Sequence, residues 1–184
     1  MTAVTAAPAR NDAGFTLIDM LFVVALIGLI SSLAIPGLMR ARGAAQSVSA
    51  VGTLRVVNSA QLSYAITCGL GFYSPDFPTL AVMPPGAVDA FLSPELASGP
   101  TFTKAGYSFS MAGTPLPGSP ATCNGLGAGS TAPAYAAVAD QLGAGGPQSR
   151  FFGTNADGIL YEHSGSLAAT MPESGPPPSG SPLK

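Results

Sequence analysis

Charge is scarce in this sequence. Only 9% of its 184 residues are charged, where an ordinary soluble domain carries about 25%. Seven bases and a formal net charge of −2 leave no electrostatic footprint for nucleic acid. Tryptophan is absent, and one His with two Cys cannot build a four-ligand zinc site from those residue types alone. The sole histidine, His163, follows Glu162 with no nucleophile motif beside it and reads as a surface residue. The glycine-rich stretch 125–131 (GLGAGST) lacks the Lys-Ser/Thr pair of a phosphate loop and reads as a flexible loop. Asn155 and Asp157 lie in a tight turn and read as turn formers rather than calcium ligands. These gaps exclude the common enzyme constellations, so the reading is of a non-enzyme with no cofactor and no metal.

What the chain does have is apolar residues, 47% of the total, and they are unevenly placed. Residues 15–35 (FTLIDMLFVVALIGLISSLAI) contain 16 apolar residues of 21, with one charge, Asp19, near the start. As a helix this run is about 31 Å long, matching the roughly 30 Å hydrocarbon core of a bilayer. A cleaved signal peptide has a shorter apolar stretch that ends in a small-residue cleavage site. This one leads into further helical sequence and reads as a membrane span. Arg10 precedes the span while Arg40 and Arg42 follow it, so counting positive charges alone puts the C-terminal body in the cytoplasm.

Proline, frequent elsewhere, is missing between Pro36 and Pro75. That interval predicts a helix from Phe15 to about Thr67, perturbed at Pro36 where a backbone N–H is lost. On a 100° wheel Ala44, Val48, Val51, Leu62 and Ile66 form one apolar sector, with Leu54, Val57, Tyr64 and Cys68 beside it. Arg55 falls in the first sector and requires a partner or a path to solvent. Gly69 is the expected C-terminal stop. Residues 69–105 read as loop. Strands are expected at 106–111, 134–139, 150–154 and 158–163, the last two flanking the turn Asn155-Ala156-Asp157-Gly158. Strands grouped after one long helix give an α+β fold: a long N-terminal helix packed on a small antiparallel sheet. The expected division is a leader at 1–14, a span at 15–35, an amphipathic helix half at 36–68, a β domain at 69–170 and a disordered proline-rich tail at 171–184.

The segment Gly14-Phe15-Thr16-Leu17-Ile18-Asp19, the apolar run behind it, and Ile35-Pro36 together resemble the start of type IV prepilins and pseudopilins. The resemblance covers about a quarter of the chain. It implies cleavage after Gly14 by a prepilin peptidase and methylation of the new N-terminus, Phe15. It also implies that Asp19 stands at the acidic assembly position, where it sets axial register by pairing with the Phe15 amine of a neighbouring subunit. Physically, a carboxylate inside a span is costly unless paired. Gly28 and Pro36 bracket a stretch of weak helix propensity that, by the same resemblance, unwinds on assembly. The sequence departs from the family pattern in three places. Asp replaces the usual Glu, the leader is long, and Ala13 stands where Lys or Arg often precedes the glycine.

The resemblance further implies a pilin-like fold and a structural role. The subunit would be held in a bacterial inner membrane and then polymerised with copies of itself by inner-membrane pilus or secretion machinery into a cell-surface filament. That topology places the body outside the inner membrane, against the charge count. An oxidising compartment there allows a Cys68–Cys123 disulfide. The alternatives are a pseudopilin of a type II secretion system, forming a periplasmic pseudopilus, or a minor pilin. More remote is a signal-anchored periplasmic enzyme or binding module that keeps residues 1–14.

Overall fold

One helix, α1, runs Leu17–Thr67 in the computed structural model, which describes residues 14–143 and 149–183. The expected leader therefore lies outside the described residues except for Gly14. The chain forms two compact units, Met1–Gly43 and Ala44–Lys184. In the first, α1 continues through Pro36 although that residue has no N–H to donate to the Ser32 carbonyl. Its side chains are exposed from Gly14 to Arg42.

In the second unit, α1 buries Ser47, Ala50, Leu54, Val57, Gln61, Tyr64 and then Cys68, a three-and-four spacing that keeps one stripe on the sheet. Of the two sectors on the wheel, the one containing Leu54, Val57, Tyr64 and Cys68 is buried, whereas Val48, Leu62 and Ile66 remain exposed. Small residues decide this, because Ser47, Ala50, Thr53 and Ala60 let the helix backbone approach the sheet. Arg55 lies on the exposed side, in water.

Gly69 does end the helix, though not by adopting the left-handed conformation. Leu70 (φ 52°) and Gly71 (φ 94°) adopt that, and the Gly71 amide reaches back to the Ala65 carbonyl at 2.8 Å. Glycine is needed at 69 because a Cβ there would overlap the Phe72 carbonyl oxygen.

The region expected to be loop, 69–105, contains three elements. Helix α2 (Phe77–Ala81) is capped by the Asp76 carboxylate, which accepts from the Thr79 amide at 2.9 Å. A 3-10 turn covers Pro94–Leu96, and strand β1 covers Thr101–Lys104. Next come β2 (Tyr107–Ala112), β3 (Ala136–Gln141), β4 (Phe151–Asn155), β5 (Leu160–His163) and β6 (Ser181–Pro182). All pair antiparallel in chain order, giving a six-stranded meander. Thus a long apolar N-terminal helix with an antiparallel sheet makes the fold α+β.

β2 alternates as half-buried strands do, with Tyr107, Phe109 and Met111 turned inward. Phe109 stacks on Phe102 at 4.8 Å between ring centroids, and Phe102 meets Phe77 edge-on at 5.0 Å. These rings form one core with Leu54, Val57 and Tyr64 of α1. A smaller cluster of Val138, Tyr161, Leu167 and Met171 forms a second core, and β4 is buried along its whole length. Gly153 of β4 leaves the space that the Met171 sulfur and Leu167 fill; a Cβ there would lie 3.0 Å from that sulfur.

The proline-rich tail is ordered, contrary to the expectation from its composition. Asn155 Nδ2 donates to the carbonyls of Pro172 and Gly175, and Asp157 Oδ2 accepts from the Gly175 amide at 2.8 Å. Glu173 Oε1 accepts from the Thr114 amide, and the tail ends as β6 beside β5. Proline suits that place, since an edge strand need not donate on its outer side.

Candidate functional site

Three of the sequence-predicted site residues, Gly14, Phe15 and Asp19, lie at the helix start. Gly14 is exposed, with nothing within 4 Å of where a Cβ would stand, and Phe15 is 83% exposed. Thr16 precedes the first helical residue. Its hydroxyl oxygen accepts from the Asp19 amide at 3.3 Å, while Asp19 Oδ2 accepts from the Thr16 amide at 3.1 Å. The Thr16 hydroxyl also donates to Asp19 Oδ2. This is a reciprocal capping box, T-x-x-D, closed on itself. Asp19 also stands in the first turn, where the helix dipole favours an anion. Cleavage after Gly14 would keep the Thr16 amide, so the box does not depend on the leader.

Gly28 and Pro36, the two expected weak points, both lie inside unbroken helix, and no Cβ built at Gly28 would meet anything within 4 Å. The helix is long and apolar enough to cross a membrane, and none of its most apolar window is buried. Exposed apolar side chains encircle it, among them Phe22, Ile27, Leu33 and Met39.

Cys68 and Cys123 are joined, with their Cα atoms 4.9 Å apart. The bond ties the residue just after α1 to the loop between β2 and β3. There Asn124 Nδ2 donates to the Thr79 carbonyl at 2.8 Å, so the same turn also holds α2.

Two polar contacts with no sequence signature fix the rest of this helix end. Gln61, fully buried, donates to the Ser74 carbonyl and accepts from the Ser74 amide, both at 2.9 Å. Asn58 Oδ1 accepts from the Tyr135 hydroxyl at 2.9 Å, and its Nδ2 donates to Thr154 at 2.9 Å. Burial raises the Tyr135 hydroxyl pKa well above its ordinary value, keeping it a neutral donor.

His163 Nδ1 accepts from the Gly165 amide at 3.0 Å in a turn. Asn155 and Asp157 are engaged with the tail, as described. Among the described residues no three His, Cys, Asp or Glu side chains are grouped as metal ligands. What this arrangement offers is a helix whose second half is fixed to the body by a disulfide and by buried polar contacts. The chain matches no family model, no curated protein and no solved structure.

Proposed function

We propose that this chain is a type IV pilin-like structural subunit, stored in a membrane through the first half of α1. It is cleaved after Gly14 and polymerised through that helix into a filament. The observation that supports this most directly is the division of α1. Its first half exposes apolar side chains all round, while its second half is built into the core of a folded body. Lipid can cover such a helix half, and so can parallel copies of itself.

The prepilin-like motif at Gly14–Pro36 supports the same reading and assigns the cut. Asp19 then has two partners in succession: its own Thr16, and the Phe15 amine of a neighbouring copy once that amine has been freed. The disulfide agrees with a body placed on the oxidising side of the membrane. Mass spectrometry of the mature protein tests the proposal. The expected result is a methylated Phe15 N-terminus in sheared surface filaments. An intact Met1 terminus would sink it, and a methylated Phe15 confined to the periplasm would make the chain a pseudopilin.

A further inference from the structure

We infer that neighbouring copies of this chain dock body to body, Arg55 of one copy set against Asp89 of the next. The inference rests on the filament reading above and specifies a contact which that reading leaves open. Two surfaces of the 44–184 unit carry it. On α1, Val48 and Ile66 are each 73% exposed and Leu62 is exposed beside them. At 100° per residue they share one face with Arg55. The segment after α2 is of opposite character: Val82 and Met83 are exposed, Val88 is 88% exposed, and Asp89 follows it in solvent. The α1 face is apolar and basic, and the 82–89 segment exposes apolar residues and one acid.

The distribution of charge narrows the pairing. Residues 36–68 contain three arginines and no acid, while residues 69–183 contain seven acids and two bases. Five of those acids are already engaged within the chain. Asp76 caps α2, Glu162 pairs with Arg150, and Asp140, Asp157 and Glu173 accept from Ser166, Gly175 and Thr114. Asp89 and Glu95 have no such partner among the described residues. Glu95 lines a shallow cavity that Lys104 also lines, and Asp89 forms no ion pair among the described residues. Arg55 likewise forms no ion pair among the described residues, where Arg150–Glu162 is the one bridge.

Two different patches that complement one another make a heterologous contact, and a heterologous contact that does not close on itself builds an open helical array. Exposed apolar residues around the charges supply burial, and the charges fix the register.

The test uses the full chain in cells that assemble it. Arg55→Glu and Asp89→Arg should each lower sheared filament yield about tenfold through like-charge contacts, and the double variant should restore it to within about twofold of wild type. Cysteines placed beside the charges, Ser59→Cys in one copy and Val88→Cys in another, should give a disulfide-linked dimer on a non-reducing gel. Wild-type filaments with unchanged yield in both single variants overturn the contact and leave the filament reading intact. If wild type forms no filament, that reading fails first; the contact then stands or falls on the same cross-link in detergent. An anionic membrane surface as the occupant of the Arg55 face would show as vesicle binding lost in Arg55→Glu and not rescued by Asp89→Arg, which also overturns the proposal.

Discussion

The Gln61 side chain pairs with the backbone of Ser74 as one strand pairs with another, giving and accepting a hydrogen bond at 2.9 Å each way. It stands in for a missing strand neighbour where the chain leaves α1, and it does so without exposure to solvent. Replacing it with Leu keeps the volume but leaves a buried N–H and C=O of Ser74 unpaired. The expected loss is about 2–4 kcal/mol. Denaturant midpoints of the full chain in detergent would register it; a midpoint within error of wild type would show that water satisfies Ser74 equally well.

The capping box and the assembly role of Asp19 separate by mutation. Thr16→Ala removes the hydroxyl and weakens the helix start by about 1 kcal/mol, yet leaves the Asp19 carboxylate for a neighbour. Asp19→Ala removes both. Filament yield in sheared fractions should therefore fall sharply in Asp19→Ala and only slightly in Thr16→Ala. Equal losses in the two variants would assign the carboxylate to the cap alone.

The Cys68–Cys123 bond closes a long loop, with a sequence separation of 55. Constraint of the unfolded chain on that scale is worth about 3–4 kcal/mol. Cys123→Ser should lower the unfolding midpoint accordingly, and reductant should lower the wild type to the same value. If reductant moves the wild type while Cys123→Ser alone does not, the stabilisation lies elsewhere.

Arg150 holds the Glu162 carboxyl below its ordinary value near 4.5, chiefly by hydrogen bonding, and is itself raised by the same contact. A depressed folded-state pKa means that this stabilisation is present above the ordinary carboxylate value and is lost as pH falls through the folded one. Both groups are partly exposed, so the contribution is about 0.5 kcal/mol. Glu162→Gln should match wild type well below pH 4 and fall behind it near pH 7 in a stability-against-pH series. A constant gap across that range would assign the effect to packing rather than charge.

Much of the architecture follows from local chemistry that the sequence displays. The end of α1 at Thr67 follows from Gly69, and the β4–β5 turn from Asn155 and Gly158, whose amide donates to the Asn155 carbonyl at 2.9 Å. β1 was hidden because its two-residue turn to β2 uses Ala105, at φ 50°, before Gly106, at φ 80°. Such turns ordinarily advertise themselves with Asn or Gly in the first place. α2 is one turn long and has Pro78 near its start, which reads as punctuation until the Asp76 cap is seen.

Which of the two apolar sectors of α1 is buried does not follow from apolarity alone. A wheel weighs apolarity, but Ser47, Thr53 and Gln61 go inward because specific partners or small size suit them, while Val48 and Ile66 stay out. Composition does not register the Asn155 and Asp157 clamps that order the tail. At the candidate site the residues Gly14, Phe15 and Asp19 could be picked out from motif alone. The Thr16 hydroxyl could also have been picked out, since T-x-x-D before an apolar run is a helix-start pattern.

A meander whose every strand neighbours the one made just before it can be assembled in the order of synthesis. β2, β4 and β5 each close a short loop onto an edge already waiting, which keeps the entropic toll of their pairing low. The exception is α1. Leu54, Val57 and Tyr64 emerge before Phe102, Phe109 and Phe152 exist to cover them. For that interval the inward face of the helix has nothing of its own chain to cover it before the second strand arrives.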